Sequence, residues 1–232
     1  MSVETAGVET LRRSPLFALV DDDALMRCAA LFTERRFRRG ETIFHQGDAG
    51  DSLHVIHAGA VKIVLPSPEG EEAAIIATLG PGEFFGELSL LDGAERSATA
   101  IAQDTTVTWV LRRDSFLTLF EEDPALRRAL LLAIVAELRL LTHHVAELHF
   151  LDLPGRLARR VVRLVRQAQP GAAGEVRIPW PYSQGELASM IGGTRQSVNR
   201  LLADLTAMGL IRLERDTLLV RDLEGLERAA DR

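Results

Sequence analysis

The sequence predicts an α+β fold: an N-terminal antiparallel β-roll, a long coiled-coil dimer helix and a C-terminal winged helix-turn-helix. Three observations carry that expectation. Between Thr42 and Leu111, short stretches alternating apolar and polar residues are separated by Gly-containing turns, the pattern of many short antiparallel strands. Leu131, Ile134, Leu138, Leu141, Val145 and Leu148 recur at spacings of 3, 4, 3, 4 and 3, the seam of a coiled coil. Two short apolar-faced helices joined at Gly192-Gly193 precede a strand–turn–strand, as in a helix-turn-helix with a wing.

The elements follow in order. Residues 8–39 read as short helices, with Asp21-Asp22-Asp23 capping Ala24 to Phe32. Glu34-Arg35-Arg36-Phe37-Arg38-Arg39 enters the first strand, its charges forming a solvated face. From Gly40 the period is two: Thr42–Phe44, Ser52–Ile56, Ala60–Leu65, Glu72–Leu79 and Ala98–Leu111 read as strands. Turns fall at Gly47-Asp48, Gly50-Asp51, Gly59, Gly70, Gly80-Pro81-Gly82 and Asp92-Gly93. After Arg113 the pattern is helical to about residue 150, its long piece starting at Asp123-Pro124. Leu130, Leu132 and Leu140 flank the seam and need cover of their own. A helix packed only on its own domain is therefore the competing reading, and a dimer seam the favoured one. Leu151-Asp152-Leu153-Pro154-Gly155 stops the helix and acts as a hinge. A further helix runs from Arg156 to about Ala168, and Val176-Arg177-Ile178 is a short strand. The expected domains are 1–122, 123–151 and 152–232.

Bulk properties narrow the class. The 232 residues are 47% hydrophobic with a mean hydropathy of +0.06, enough for real cores. No uninterrupted apolar run approaches the roughly 20 residues of a membrane span. The polar, acidic N-terminus does not resemble a signal peptide, and a cytosolic location without membrane attachment is expected. Cys28 is the only cysteine, which excludes an intrachain disulfide framework and a cysteine-ligated metal cluster. The net charge of −6 is unevenly spread. Residues 1–150 carry −9 and residues 151–232 carry +3, with eight arginines against two acids between Arg156 and Arg200. That break marks a domain boundary and a candidate polyanion surface.

Two stretches carry chemistry. In Phe84–Ala100, Gly86 lets the backbone approach a ligand closely, and the run Glu87-Leu88-Ser89-Leu90 can form a helical turn whose N–H groups face that ligand. Arg96 and Ser97 supply a guanidinium and a hydroxyl for a phosphate. A carboxylate at Glu87 makes sense if it accepts a hydrogen bond from a sugar hydroxyl, so a nucleotide with a free ribose hydroxyl is expected. In the second stretch, Ser183-x-x-Glu186 is a capping box, and Thr194 caps a helix that turns Val198, Leu201, Leu202 and Leu205 inward. Arg195, Gln196, Asn199 and Arg200 face outward at its start. Arg with guanine, and Gln or Asn with adenine, are the pairings that major-groove geometry rewards. Met208–Leu213 and Leu218–Arg221, turning at Arg215-Asp216, form the wing.

Over essentially the whole chain the sequence resembles the cyclic-AMP receptor protein (catabolite activator) family of bacterial transcription regulators. The resemblance rests on Gly40-Glu41-x-Ile43-x-x-x-Gly47-Asp48, Phe85-Gly86-Glu87-Leu88…Arg96-Ser97-Ala98-Thr99, Phe150-Leu151-Asp152-x-x-Gly155-Arg156 and Thr194-Arg195-Gln196-Ser197-Val198-Asn199-Arg200. It implies a cyclic-nucleotide-binding roll holding an allosteric ligand, cyclic AMP first among the choices, through Gly86, Glu87, Leu88, Arg96 and Ser97. It further implies a homodimer that reads double-stranded DNA through residues 194–200, Arg195, Gln196 and Arg200 at base edges, and that contacts RNA polymerase. There are three departures. Counting back from Phe150, the two hydroxyl positions set against adenine are Leu141 and Thr142, so one is lost. Gln196 replaces a frequent Glu, which weakens preference for cytosine. The cysteines of the iron–sulfur sensors are absent.

Alternatives remain at this level. One regulator of the same kind would act without nucleotide, or sense another small molecule or haem. His143 and Glu147 are one turn apart, but His149 is off their face, so no metal is expected. Another reading, of a different class, is a nucleotide-binding module whose C-terminal domain binds protein. No nucleophile elbow, P-loop or HExxH is present, and no enzyme is expected.

Overall fold

The computed structural model describes residues 3–66, 73–180 and 182–230. The expected turn at Gly70 and strand start at Glu72 lie outside them. The chain forms two compact units, Met1–Arg139 and Leu140–Arg232, and the division falls inside one long helix.

The first unit opens with α1 (Val3–Arg13), a 3-10 turn (Pro15–Phe17) and α2 (Asp22–Ala29). Asp21 caps α2, its carboxylate accepting the Ala24 N–H at 2.8 Å. Eight strands follow: β1 (Thr33–Phe37), β2 (Thr42–Phe44), β3 (Ser52–Ala58), β4 (Val61–Leu65), β5 (Ala74–Leu79), β6 (Phe84–Phe85), β7 (Thr99–Ala102) and β8 (Thr106–Arg112). They make two four-stranded antiparallel sheets, ordered β1-β8-β3-β6 and β2-β7-β4-β5. The α3 helix (Glu87–Asp92) interrupts them between β6 and β7.

The run Ala98–Leu111, expected as one strand, is two strands in different sheets. Asp104 makes the break: its Oδ1 accepts the Ala60 N–H at 2.8 Å, and the Thr106 hydroxyl donates to the Ala60 carbonyl at 3.0 Å. Those bonds anchor the β7–β8 turn to the β3–β4 turn, a long-range tie that alternation in the chain does not encode.

The roll is closed by α4 (Arg113–Glu122) and α5 (Pro124–Phe150). Leu11, Phe17, Leu25, Leu53, Trp109, Phe116, Leu126 and Leu130 form one buried cluster. Leu130 is thus covered by its own domain, whereas Leu132 and Leu140 are exposed. Asp123 Oδ1 accepts the Ala125 and Leu126 N–H groups at the start of α5. Helix α5 corrects one expectation. By length and composition it could cross a membrane, because Glu137 and Arg139 are the only Asp, Glu, Lys or Arg residues between Ala129 and Ala146, although they and Thr142, His143 and His144 leave no long uninterrupted apolar run.

In the second unit, Asp152 caps α6 (Leu153–Ala168), accepting the Gly155 N–H at 2.8 Å. Then come β9 (Val176–Pro179), α7 (Gln184–Ile191), α8 (Arg195–Ala207), β10 (Ile211–Glu214), β11 (Thr217–Val220) and α9 (Leu223–Ala230). The strands form one antiparallel sheet in the order β10-β11-β9. Arg215, at the wing turn, has φ +35°, the left-handed region that side chains rarely occupy. Helix α9 was not expected. It buries Leu223, Leu226 and Ala230 and is tied to α6 by the Arg166–Glu227 ion pair at 2.6 Å.

Candidate functional site

In the first unit the structure gathers Gly86, Glu87 and Arg96. Gly86 ends β6 and is the N-cap of α3 at φ +86°. A Cβ there would lie 2.6 Å from an Arg96 terminal nitrogen and 2.9 Å from the Ser52 carbonyl oxygen. Gly86 is therefore needed for the close packing of Arg96, a different reason from the ligand approach expected.

Arg96 is 3% exposed. Its Nη1 donates to the Gly86 carbonyl at 2.8 Å, and its Nη2 donates to the Ser52 carbonyl at 2.8 Å and hydroxyl at 3.1 Å. The guanidinium lies 4.2 Å over the Phe44 ring, a cation–π contact. The nearest carboxylate, Asp51 at 3.8 Å, is largely exposed. Burial pulls the Arg96 pKa down, and the negative charges of Asp51, Glu87 and Asp48 oppose that shift. A desolvated cation held by neutral oxygens is incompletely compensated, and an anion would complete it.

Glu87, half-buried, opens α3. Burial pushes its carboxyl pKa up. Its own backbone N–H lowers it, Glu137 raises it and Arg96 lowers it. Leu88 and Ser97 are exposed beside these groups. The sequence reading missed Phe44, Asp51, Ser52 and His54. Only the Gly-Asp turns before Ser52 hinted at a special loop there. That loop is pinned to Arg96 through the backbone: Arg96 N–H donates to the Asp48 carbonyl at 2.8 Å, and Gly47 N–H to the Arg96 carbonyl at 3.0 Å.

His54 is buried, and burial, with Arg96 and Arg35 nearby, holds its pKa down at about 3. The unfolded imidazole has a value near 6.5, so protons favour the unfolded chain in between. Stability is fully present above about pH 6.5 and falls as pH drops towards 3, by up to about 1.4 kcal/mol per pH unit. Urea melts of the wild type at pH 7, 5 and 4 should show this loss. His54→Phe should lose that part of the slope; an unchanged slope would assign it to carboxylates.

Leu141 and Thr142 lie in the second unit, exposed on α5. Along the seam, Leu131, Leu138, Leu141, Val145 and Leu148 are exposed. Ile134 departs from the expectation, being half-buried against the first unit's core. It sits close enough to the buried Leu130 to turn towards the roll. Glu147, one turn from His143, pairs with Arg163, and His144 lies 3.9 Å from it. Among the described residues no three His, Cys, Asp or Glu side chains gather to hold a metal.

The helix-turn-helix is built by its caps. Ser183 and Glu186 form a reciprocal capping box on α7. Gly192 ends α7 at φ +67°, and the Thr194 hydroxyl accepts the Ser197 N–H at 3.1 Å to start α8. Val198, Leu202 and Leu205 are buried and Leu201 is half-buried. Thr194, Arg195, Gln196, Asn199 and Arg200 are exposed, with Ser197 half-buried beside them. Gln184, not singled out in the sequence, donates to Asn199 Oδ1 at 3.2 Å. Gln196, Ser197 and Arg200 also line a cavity of about 290 Å³ with Leu153, Pro154 and Leu201.

The expected arginine surface is narrower than its charge count. Arg156 donates to the Ile191 carbonyl at 2.6 Å. Arg160 interacts with Tyr182, Arg163 with Glu147, Arg166 with Glu227 and Arg177 with Glu214. These α6 and β9 side chains hold the domain together, while Arg195 and Arg200 present their charge outward on α8.

Two family models match: Cyclic nucleotide-binding domain over residues 34–123 and Crp-like helix-turn-helix domain over residues 155–229. The CRP-like cAMP-activated global transcriptional regulator of Mycobacterium tuberculosis is 34% identical over 226 residues, covering 96% of this chain and 99% of that one. The chain belongs to the cyclic-AMP receptor protein family. Solved structures share its fold. The Thermus thermophilus catabolite activator protein is 33% identical, with a TM-score of 0.54 over 94% of this chain and 98% of that one. The c-di-GMP responsive regulator CLP of Xanthomonas campestris shares the fold, at 23% identity and a TM-score of 0.74 over 87% and 99%. As a member of the family, the chain is a DNA-binding transcription regulator with a cyclic-nucleotide-binding domain. That replaces the protein-binding reading of its C-terminal domain.

Proposed function

We propose that this regulator acts as a homodimer that binds a cyclic nucleotide, cyclic AMP first, at Gly86, Glu87, Leu88, Arg96 and Ser97. The observation that carries the reading is the buried Arg96 guanidinium, held by carbonyl and hydroxyl oxygens and lacking a buried carboxylate. Its placement beside a helix N-terminus suits a cyclic phosphate, and Glu87 suits the ribose hydroxyl. The names of the Mycobacterium and Thermus relatives support the choice of cyclic AMP. Leu141 and Thr142 are assigned to base selectivity, Leu141 supplying apolar cover and Thr142 a hydroxyl.

Dimerisation through the exposed apolar face of α5 completes the proposal. Nucleotide binding shifts the dimer equilibrium so that two α8 helices face a palindrome. Their spacing would be about 34 Å, as documented for helix-turn-helix regulators including this family's founding member. Thr194, Ser197 and Asn199 flank Arg195, Gln196 and Arg200 on that surface, and RNA polymerase is the partner the family implies. Such a regulator would work in the cytoplasm.

Calorimetric titration of the purified chain with cyclic AMP, cyclic GMP and cyclic di-GMP tests the ligand. Saturable binding of one, improving operator affinity, supports the proposal; no binding refutes it. The third ligand is included because the Xanthomonas regulator responds to it. One observation favours a second reading, operator binding without nucleotide: the chain's own oxygens already accept three hydrogen bonds from Arg96.

Arg195→Ala should weaken operator binding by about 1–3 kcal/mol and flatten sequence preference at one base pair. Competition with point-mutated operators measures this. Equal loss on random DNA would make Arg195 a phosphate contact.

A further inference from the structure

Three groups hold Arg96: Ser52, through its carbonyl and hydroxyl; the Gly86 carbonyl; and the face of Phe44. One side chain touches two of these supports, Ser52 and Phe44, and the residue next to the third. His54 Nε2 lies 3.4 Å from the Ser52 hydroxyl. Its ring stacks on Phe85, the residue before Gly86, with centroids 4.9 Å apart and planes 16° from parallel. The Phe44 ring packs against it at 6.1 Å. On the far side His54 Nδ1 is 3.2 Å from the hydroxyl of Thr108, which is fully buried on β8.

We infer that His54 is a positioning residue for the ligand-binding guanidinium, linking Thr108 to Ser52 and bracing Phe85-Gly86 and Phe44 so that Arg96 has one orientation. The inference rests on the nucleotide-pocket reading above for its consequence, but not for its geometry.

Hydrogen-bond direction fixes the arrangement. The Ser52 hydroxyl donates to Asp51 Oδ1 at 2.9 Å, so towards Arg96 and His54 it accepts. His54 must therefore carry its proton on Nε2, leaving Nδ1 to accept from the Thr108 hydroxyl. A neutral ring satisfies both neighbours. A doubly protonated ring would force the Thr108 hydroxyl to turn and accept instead of donate, and would place a second cation near Arg96. Burial and the Arg96 charge keep the ring neutral at physiological pH. Phenylalanine would keep the stack on Phe85 and lose both hydrogen bonds, which separates positioning from packing.

The Arg96 Nε–H provides a test that needs no ligand. Nε is buried with no hydrogen-bond partner among the described residues, so its proton should exchange slowly with water. In ¹⁵N spectra of the full chain, the resonance is assigned by its disappearance in Arg96→Lys. His54→Phe should shift that resonance and speed its water exchange about ten-fold, while the dispersed amide signals persist. His54→Gln, which restores a donor towards Ser52, should recover part of the wild-type behaviour. An unmoved Arg96 resonance in folded His54→Phe overturns the inference. Should His54→Phe fail to fold, Thr108→Val removes the same link from its other end. It must then move the Arg96 signal, or the inference falls.

Titration with cyclic AMP is read separately. If the wild type binds, His54→Phe should raise Kd about ten-fold, and should add nothing further in an Arg96→Lys background. Equal effects in both backgrounds would show that His54 does not act through Arg96. If the wild type binds no nucleotide, the proposed ligand fails while the Arg96 resonance still decides the positioning role.

Discussion

Arg96→Ala is expected to abolish nucleotide response. On the proposed reading it removes the charge-assisted hydrogen bonds to the phosphate, a loss of about 3 kcal/mol or more and so at least roughly a hundred-fold in affinity. The same change leaves the Gly86 and Ser52 carbonyls without their donor. Each newly unpaired buried oxygen costs about 1–3 kcal/mol, so the melting temperature should fall as well. Calorimetry with cyclic AMP, alongside thermal melts of the same sample, separates the two losses. A folded Arg96→Ala protein that binds as tightly as wild type would remove Arg96 from the pocket.

The second large effect is expected at the α5 seam. Leu138 and Val145 are 62% and 65% exposed, an apolar surface unusual for a helix facing water. Replacing both with glutamate should leave the helix folded, since Glu is a good helix former. It should nevertheless repel a partner helix, and sedimentation equilibrium should report a monomer. Operator affinity should fall by about 10²–10⁴-fold, because each half-site would be bound alone rather than as one of two linked events. A double variant that stays dimeric would move the interface elsewhere. Ile134 is unsuitable for this experiment, since it packs against the first unit's own core and its replacement would mix domain stability with association.

Much of the fold was legible in the chain because it is decided within a few residues. Asp21, Ser183 and Thr194 each accept a backbone N–H three residues ahead, so their helix starts could be placed from type and spacing. Asp152 does the same and starts α6 at Leu153, three residues before the expected Arg156, because Pro154 and Gly155 read as a hinge although proline suits the first turn of a helix. The period of two marked β2, β3 and β4 for the same reason. The pocket was half legible. Gly86, Glu87 and Arg96 stood out by their chemistry, but the grip on Arg96 comes from Ser52, forty-four residues away, and from Phe44. Nothing local to Ser52 or His54 announces a partner in another strand.

Charge counting misled for a related reason. Eight arginines near the helix-turn-helix suggested a broad polyanion surface, yet Arg156, Arg160, Arg163, Arg166 and Arg177 are engaged with Ile191, Tyr182, Glu147, Glu227 and Glu214. A sequence records that an arginine is present, not whether a carbonyl or carboxylate has come within reach of it. Helix α9 escaped notice because eight residues give only two turns of periodicity, and its burial depends on α6.

By itself, then, the sequence determined most of the order of elements, the caps of α2, α7 and α8, the outward residues of α8 and the choice of Gly86, Glu87 and Arg96 as candidates, all properties of spacing and side-chain chemistry. The tertiary structure alone decided which sheet each strand joins, which arginines are taken up in packing, that Ile134 turns towards the roll, and that Arg96 is held by Ser52 and Gly86 beneath a buried histidine. Those outcomes depend on groups far apart in the chain meeting at hydrogen-bonding distance, and that distance is set only when the sheets close.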